Sequence, residues 1–218
     1  MSSEKTDVLD EQVIKHGKAA IQQLATESSP ITHALIGCVI GIFIVEVWIM
    51  HTNSLGNLEV VAKGIFGVAP SAGWILSPFL HNSIPHFIVN IAGLILVGVP
   101  LEKHWSKKRY AVFLIAAGYM ATVGGGVFLA IFTDQQIASY GVSGVVYALA
   151  GFGLIHLPRR HWPFDSLQWI VVLFGVSAML SVVVDPFIGP YFEPNWINGG
   201  HLVGFVIGVV AGWFGWNS

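Results

Sequence analysis

The sequence has few charged residues and almost no cysteine. Lys, Arg, Asp and Glu make up 10% of its 218 residues, whereas a soluble domain carries roughly 25%. The single Cys38 excludes a disulfide within the chain and a thiolate metal cluster. A net charge of -2 is too near zero to suggest a nucleic-acid partner. Because 54% of the residues are hydrophobic and the mean hydropathy is +0.70, the composition predicts a multi-pass protein of the lipid bilayer.

Six apolar segments have about the length at which a helix crosses a bilayer, which is roughly 20 residues. They are called spans 1 to 6 and lie at 31–51, 84–101, 110–132, 140–157, 167–184 and 198–217. The predicted fold is therefore an all-α bundle of six membrane helices over residues 30–218. A polar segment, residues 1–29, precedes the bundle.

The distribution of Lys and Arg predicts how this bundle sits in the membrane. If the N-terminus is cytoplasmic, every basic residue except Lys63 falls on the cytoplasmic side, as the positive-inside rule requires. We therefore expect both termini in the cytoplasm of a protein of the cell membrane. The apolar outer loop 52–83 is expected to lie in the interface or dip into the bilayer. The Pro-rich outer loop 185–197 is expected to form an ordered, nonhelical cap.

Four polar side chains occur near the predicted outer ends of three spans. Span 2 carries His86 and Asn90, one helical turn apart, behind a possible cap at Asn82 or Ser83. Ser143 would lie about 5 Å along span 4 if that helix began at Tyr140. His201 falls in the first turn of span 6. The spans therefore place His86, Asn90, Ser143 and His201 at a similar depth.

Small residues favour close packing of spans 4 and 6. Gly200, Gly204, Gly208 and Gly212 recur every fourth position in span 6, and such runs let helix backbones approach closely in a membrane. Ser143, Tyr147 and Gly151 form the matching stripe on span 4. Close contact would bring the His201 imidazole to the Ser143 hydroxyl, with Tyr147 packed against the imidazole.

A serine next to a histidine suggests nucleophilic attack on a carbonyl, with the histidine as general base. The oxyanion that forms needs hydrogen-bond donors, and the Ser143 backbone N–H, the Asn90 amide and the His86 ring are candidates. No acid completes a triad, because Glu46 lies on span 1 and the Asp residues nearest the spans lie in or beside loops. The prediction is a Ser–His dyad.

The same residues carry a family resemblance. The chain resembles the rhomboid intramembrane serine proteases in three motifs: His81-x4-His86-x3-Asn90, Gly141-x-Ser143-Gly144-x-x-Tyr147-Ala148-Leu149, and Gly200-His201-x-x-Gly204-x3-Gly208. The resemblance implies that Ser143 is the nucleophile, that His201 is the base and that His86 and Asn90 serve the oxyanion. It also implies membrane-protein substrates and a substrate gate formed by span 5 and the loop after it. His81, Gly141 and Gly144 would support the site.

Other interpretations of these residues remain open. Ser143 taken alone is better explained as a helix-packing serine. His81, His86 and His201 could form a metal site, but no carboxylate or thiolate joins them, so no metal or cofactor is predicted. A non-enzymatic rhomboid-like protein that binds membrane clients is the main alternative. A small transporter is a weaker one, because the polar residues are confined to the outer end of the bundle.

The sequence also supports predictions for three groups of residues outside the site. Glu46 is expected to extend its carboxylate to the headgroups at the outer end of span 1. Glu102-Lys103-His104 is expected to form a solvated cytoplasmic turn. Most tryptophans are expected to anchor the protein at the membrane interface, among them Trp105, Trp162, Trp213 and Trp216.

Overall fold

The computed structural model describes residues 3–52, 75–81, 83–132, 140–188 and 199–216. Within these ranges the chain is helical and has no strand. The helices are α1 (Ser3–Thr26), α2 (Pro30–Thr52), α3 (Ile84–Glu102), α4 (Lys107–Phe132), α5 (Ser143–Arg160), α6 (Ser166–Ile188) and α7 (Gly199–Phe214). A 3-10 turn at Ser77–Phe79 precedes α3, and α3 contains a π-helical stretch at Leu94–Gly98.

The six apolar segments predicted from the sequence overlap α2 to α7. Three of these helices, over Pro30–Ile49, Ile84–Glu102 and Ser166–Val183, are long and apolar enough to cross a membrane, and Gly199–Phe214 is apolar but shorter. The chain therefore has the helices of a membrane bundle. That all six cross the bilayer, with both termini in the cytoplasm, stays a prediction.

Helix α5 lies at the centre of the bundle. It contacts α3, α4, α6 and α7, and most of its 18 residues are buried. Leu149 and Phe152 have no exposed surface, and they belong to a core that also includes Leu94 of α3 and Phe113 of α4. A helix that is buried on all sides holds its first residue, Ser143, in a fixed position relative to its neighbours.

The polar N-terminal segment forms α1 and packs against α6. Ala20 on α1 is 5% exposed, so this helix covers part of the bundle. Near its end, Glu27 forms an ion pair with Lys103 in the α3–α4 turn, at 3.6 Å. The segment 1–29 is therefore in contact with the membrane domain.

The turn after α3 is only partly solvated, because Lys103 is exposed as predicted but Glu102 is not. Glu102 is 4% exposed, and its carboxylate accepts hydrogen bonds from the backbone N–H groups of Ile31 and Thr32 at 2.9 and 2.8 Å. It caps the start of α2, where these donors have no partner within the helix. Trp105 is also misassigned as an interfacial anchor, because it is 7% exposed and its ring stacks on Phe113 at 4.8 Å.

The two predicted outer loops are only partly described. The expectation for the loop 52–83 falls mainly on residues 53–74, which lie outside the described residues. The expected nonhelical cap over 185–197 is wrong at its start, since α6 continues to Ile188. Its remaining residues, 189–197, also lie outside the described part of the chain.

Candidate active site

Ser143 is the first residue of α5. The helix begins three residues later than predicted, because Gly141 has a φ of +105°, in a region that glycine adopts without strain and that interrupts a helix. The Gly141 N–H donates to the carbonyl oxygen of Ser77 at 2.9 Å, which fixes the segment before the helix. Ser143 therefore lies at the helix start, where the first backbone N–H groups have no acceptor within the helix.

Helix α7 approaches α5 closely enough for their backbones to touch. A Cβ atom added at Gly204 would collide with the carbonyl oxygen of Gly144, and one added at Gly208 would collide with that of Ala148. A Cβ at Gly144 would lie 3.8 Å from the carbonyl oxygen of Gly200. The residues next to Ser143 and next to His201 therefore face each other across the contact.

The His201 ring is held by Tyr147, one turn along α5 from Ser143. The two rings are stacked, with centroids 4.0 Å apart and planes 9° apart. The Tyr147 hydroxyl lies 2.8 Å from Ser181 Oγ on α6. Because Ser181 Oγ donates its proton to the carbonyl oxygen of Ala178, the tyrosine is the donor in this bond. Tyr147 thus fixes the plane of the imidazole and also ties α5 to α6.

Helix α3 brings two further polar side chains to the same end of α5. Ser83, one of the two predicted candidates, is its N-cap and accepts a hydrogen bond from the His86 N–H at 3.4 Å. The His86 ring lies against Gly141, where an added Cβ would be 2.9 Å from His86 Cε1. Asn90 is 3% exposed, and its Nδ2 has no acceptor among the described residues. A buried amide donor without a partner is unusual and suggests a role in binding.

His81 lies behind His86 and is bound to Glu46. Its backbone N–H donates to both carboxylate oxygens of Glu46, at 3.0 and 3.2 Å, and its ring centroid is 5.0 Å from that of His86. Burial, with a contribution from His86, lowers the pKa of His81 to about 4, so the ring is neutral at pH 7. Glu46 is 4% exposed, so the expectation that it reaches the headgroups is wrong. The sequence gives no sign of this pairing, because the partners are 35 residues apart.

The histidines that could hold a metal are not those considered from the sequence. In the part of the chain that the structure describes, His81, His86 and His201 do not form a group of metal-ligand geometry. A different trio does: one ring nitrogen from each of His104, His156 and His161 lies within 4.8 Å of the others. All three lie at the end of the bundle opposite Ser143, and the only sequence signal for them is their shared predicted cytoplasmic location.

Comparison with known proteins places these features in a family. The model of the Rhomboid domain matches residues 71–218, which include every predicted site residue. RHOMBOID-like protein 4 of Arabidopsis thaliana is 27% identical over 73% of this chain and 37% of its own length. The rhomboid protease GlpG of Haemophilus influenzae is 26% identical over 64% of this chain and 67% of its own.

Not every relative is named as active. Inactive RHOMBOID-like protein 8 of Arabidopsis thaliana is 29% identical over 52% of this chain and 32% of its own length. The chain spans about a third of the length of the Arabidopsis relatives that it matches. The family match covers more than half of the chain, and it includes the starts of α3, α5 and α7 that carry the polar cluster. The chain therefore belongs to the Rhomboid domain family.

Proposed function

We propose that this protein is a serine endopeptidase that cleaves peptide bonds in or next to the transmembrane segments of other membrane proteins. The observation that carries the proposal is the stacking of His201 on Tyr147, one turn from Ser143, at a contact where α5 and α7 touch. Ser143 is the nucleophile and His201 the general base. The relatives named as rhomboid proteases are consistent with this chemistry.

The mechanism follows from the positions of these groups. Neutral His201 accepts the Ser143 proton as the hydroxyl oxygen attacks the carbonyl carbon of the substrate. His201 then returns the proton to the leaving amine, and an acyl-enzyme remains on Ser143. Water enters, loses a proton to His201 and attacks the ester carbonyl. His201 then returns the proton to the Ser143 oxygen as it leaves, which restores the hydroxyl and the neutral imidazole. Stacking on Tyr147 restricts the imidazole to orientations in which one nitrogen serves both proton transfers.

The oxyanion of the intermediate is stabilised by donors around the start of α5. The Ser143 N–H belongs to the first turn, where backbone donors have no helical partner. Asn90 Nδ2 is buried and has no acceptor among the described residues, which suits a donor whose acceptor is a bound substrate. His86, packed against Gly141, is the third donor. In this proposal Asn90→Ala lowers turnover and leaves the thermal stability unchanged.

The proposal includes the predicted topology of six spans, with both termini in the cytoplasm and the site opening to the opposite side. A substrate helix hides its carbonyl groups in hydrogen bonds, so the cleaved stretch must unwind. Substrates with small or helix-breaking residues near the outer surface lower that cost. The substrate enters laterally from the lipid, and α6 is the part that moves; the loop 189–197, which belongs to the same prediction, lies outside the described residues. The Tyr147–Ser181 hydrogen bond is one contact that this movement breaks.

Labelling with a fluorophosphonate probe tests the proposal without knowledge of a substrate. We expect the purified wild type to be labelled, and Ser143→Ala and His201→Ala to lose the label. Ser177→Ala, at an exposed position on α6, is the matched control and retains it. Labelling of folded Ser143→Ala equal to that of the wild type would refute the assignment of the nucleophile.

The second candidate is a non-catalytic protein that binds membrane clients. The relative named as inactive makes this a real alternative at the observed identity. The presence of both Ser143 and His201 favours the protease. Failure of the probe to label folded wild-type protein, with a peptide aldehyde also failing to protect it from unfolding, would favour the client-binding function.

A further inference from the structure

Three histidines meet at the end of α5 that is farthest from Ser143. His104 lies in the turn after α3, His156 in the last turns of α5, and His161 directly after α5. Their ring centroids are 4.4 Å apart for His104 and His161, 5.4 Å for His156 and His161, and 5.5 Å for His104 and His156. Three imidazoles from two distant parts of the chain thus face a common point.

We propose that His104, His156 and His161 bind a divalent transition-metal ion, and that Zn²⁺ is the ion that fits best. Imidazole is a preferred ligand of Zn²⁺, and a tetrahedral ion with Zn–N bonds of about 2.0–2.1 Å holds its ligand atoms roughly 3.4 Å apart. The three donor nitrogens lie within 4.8 Å of one another, so binding requires them to close by at most about 1.4 Å.

The surroundings allow that adjustment. His156 is 6% exposed and its ring stacks on Phe152, with centroids 4.8 Å apart and planes 16° apart, so it is the fixed member of the group. His104 and His161 are partly exposed and lie outside the helices. The His161 backbone N–H donates to the Leu157 carbonyl oxygen at 2.9 Å. Because this bond holds only the backbone, the adjustment falls on the His161 side chain.

Charged residues around the trio affect how favourably a cation binds there. Arg159, Arg160 and Lys103 oppose a cation. Asp165 has the opposite sign and lies close enough to influence His104. The fourth position is filled by water or by the Asp165 carboxylate.

The ion would act on the fold rather than on the reaction at Ser143. His156 is 13 residues from Ser143 along one helix, which is about 20 Å at 1.5 Å per residue. A metal at the trio joins the α3–α4 turn to the end of α5. Because the ion binds only the folded arrangement, its binding raises stability.

Zinc binding by the untagged 218-residue protein in detergent tests the inference. Zn²⁺ is titrated in competition with a chromophoric chelator, and we expect one ion per chain. Removing a hydrogen-bond partner of a metal-binding residue lowers metal affinity by about 10–100-fold. Removing the metal-binding residue itself costs more, so His104→Gln and His161→Gln should each weaken Zn²⁺ binding by at least about 100-fold. His51→Gln, at an exposed position on α2, and His81→Gln are the matched controls and leave the affinity unchanged.

Binding of less than one ion per chain, or an affinity that the trio variants leave unchanged, would overturn the inference. Loss of binding in His81→Gln alone would also overturn it, because the ion would then lie at the other end of the bundle. If the trio variants fail to fold, Co²⁺ replaces Zn²⁺ in wild type and His81→Gln. A stoichiometric tetrahedral Co²⁺ absorption band in both supports the site, and its absence from either refutes it.

Discussion

Replacing Gly204 by alanine should separate the helices that carry Ser143 and His201. A Cβ at this position would lie 3.1 Å from the carbonyl carbon of Gly144 and 3.2 Å from its Cα, and closer still to its oxygen. Ordinary contacts between carbon atoms are about 3.5–4.0 Å. The obstacle is backbone, which cannot rotate away as a side chain would, so α7 must move off α5 by about 1 Å.

The magnitude of the effect follows from that displacement. Adding a methyl group to a well-packed contact costs about 1–3 kcal/mol of stability. A shift of about 1 Å in a catalytic group lowers the rate by roughly 10²-fold. Gly204 is one turn from His201, and its neighbour Gly144 directly follows Ser143, so the shift falls between the two groups. We therefore expect Gly204→Ala to be folded, less stable and nearly inactive.

The assay is cleavage of a fluorogenic transmembrane peptide by purified protein in liposomes, together with thermal unfolding in detergent. Gly41→Ala is the matched control, because a Cβ at Gly41 on α2 meets no atom within 4 Å. It should keep full turnover and gain up to about 1 kcal/mol from helix propensity. Gly208→Ala introduces a closer collision one turn farther from the site, with the Ala148 carbonyl carbon at 2.7 Å, so it should lose at least as much stability and less activity.

Turnover of Gly204→Ala within about threefold of the wild type, with unchanged melting temperature, would refute this reasoning. It would mean that α5 and α7 do not touch in the membrane. Loss of stability with unchanged turnover would contradict only the catalytic part of the prediction. The helices would then be in contact, but the distance between Ser143 and His201 would not limit the reaction.

The structure leads to three further predictions, which concern stability, peptidase activity and acid dependence. Glu102→Gln should lower stability by about 1–3 kcal/mol in a thermal unfolding assay, because it replaces a buried charged acceptor at the start of α2. Tyr147→Phe should keep most peptidase activity, since the ring still stacks on His201 while the bond to Ser181 is lost, whereas Tyr147→Ala should lose both contacts and most activity. Acid should destabilise the protein: the pKa of His81 is about 4 in the folded chain against 6.5 in the unfolded one, so the unfolded state binds the proton first and stability falls as the pH drops from 6.5 to 4. His81→Gln should reduce that fall by up to about 3 kcal/mol.

Each of these expectations has an outcome that contradicts it. Glu27→Gln removes a partly exposed carboxylate and serves as the control for Glu102→Gln, so equal losses in the two variants would rule out a special role for the buried group. Equal activities of Tyr147→Phe and Tyr147→Ala would show that stacking does not orient the imidazole. The same acid dependence in wild type and His81→Gln would mean that other groups take up the proton.

The lengths of the apolar runs predict the positions of the helices, and the spacing of the glycines predicts the contact between α5 and α7. Apolar runs of about 20 residues locate α2 to α7 within a few residues, because an apolar run of that length is typical of a membrane helix. The start of α5 was misplaced, since a glycine at a positive φ interrupts a helix without altering hydropathy. The sequence also predicted which polar residues share an end of the bundle, because helix direction alone decides that.

The errors concern buried polar groups whose partners are distant in the chain. Glu46 and Glu102 both look like surface carboxylates, yet each caps backbone N–H groups, at His81 and at the start of α2. Local sequence cannot reveal such a bond, because its stabilising effect depends on two segments packing first. The histidine trio has no local sequence signal for the same reason: His104 and His156 are 52 positions apart and meet only after α3 and α5 have packed.

These polar contacts have a common consequence for how the site is built. In an apolar medium, a buried carboxylate is stable only if donors surround it, so each one fixes the segment that supplies those donors. Glu46 fixes the segment before α3, which carries His86 and Asn90, and Glu102 fixes the opposite end of the same helix against α2. Helix α3 is thus held at both ends, while α6 is tied to the site through the Tyr147–Ser181 bond. In the proposed mechanism, a substrate that enters beside α6 displaces that helix while Glu46 and Glu102 hold α3, so that His86 and Asn90 keep their positions as the bundle opens.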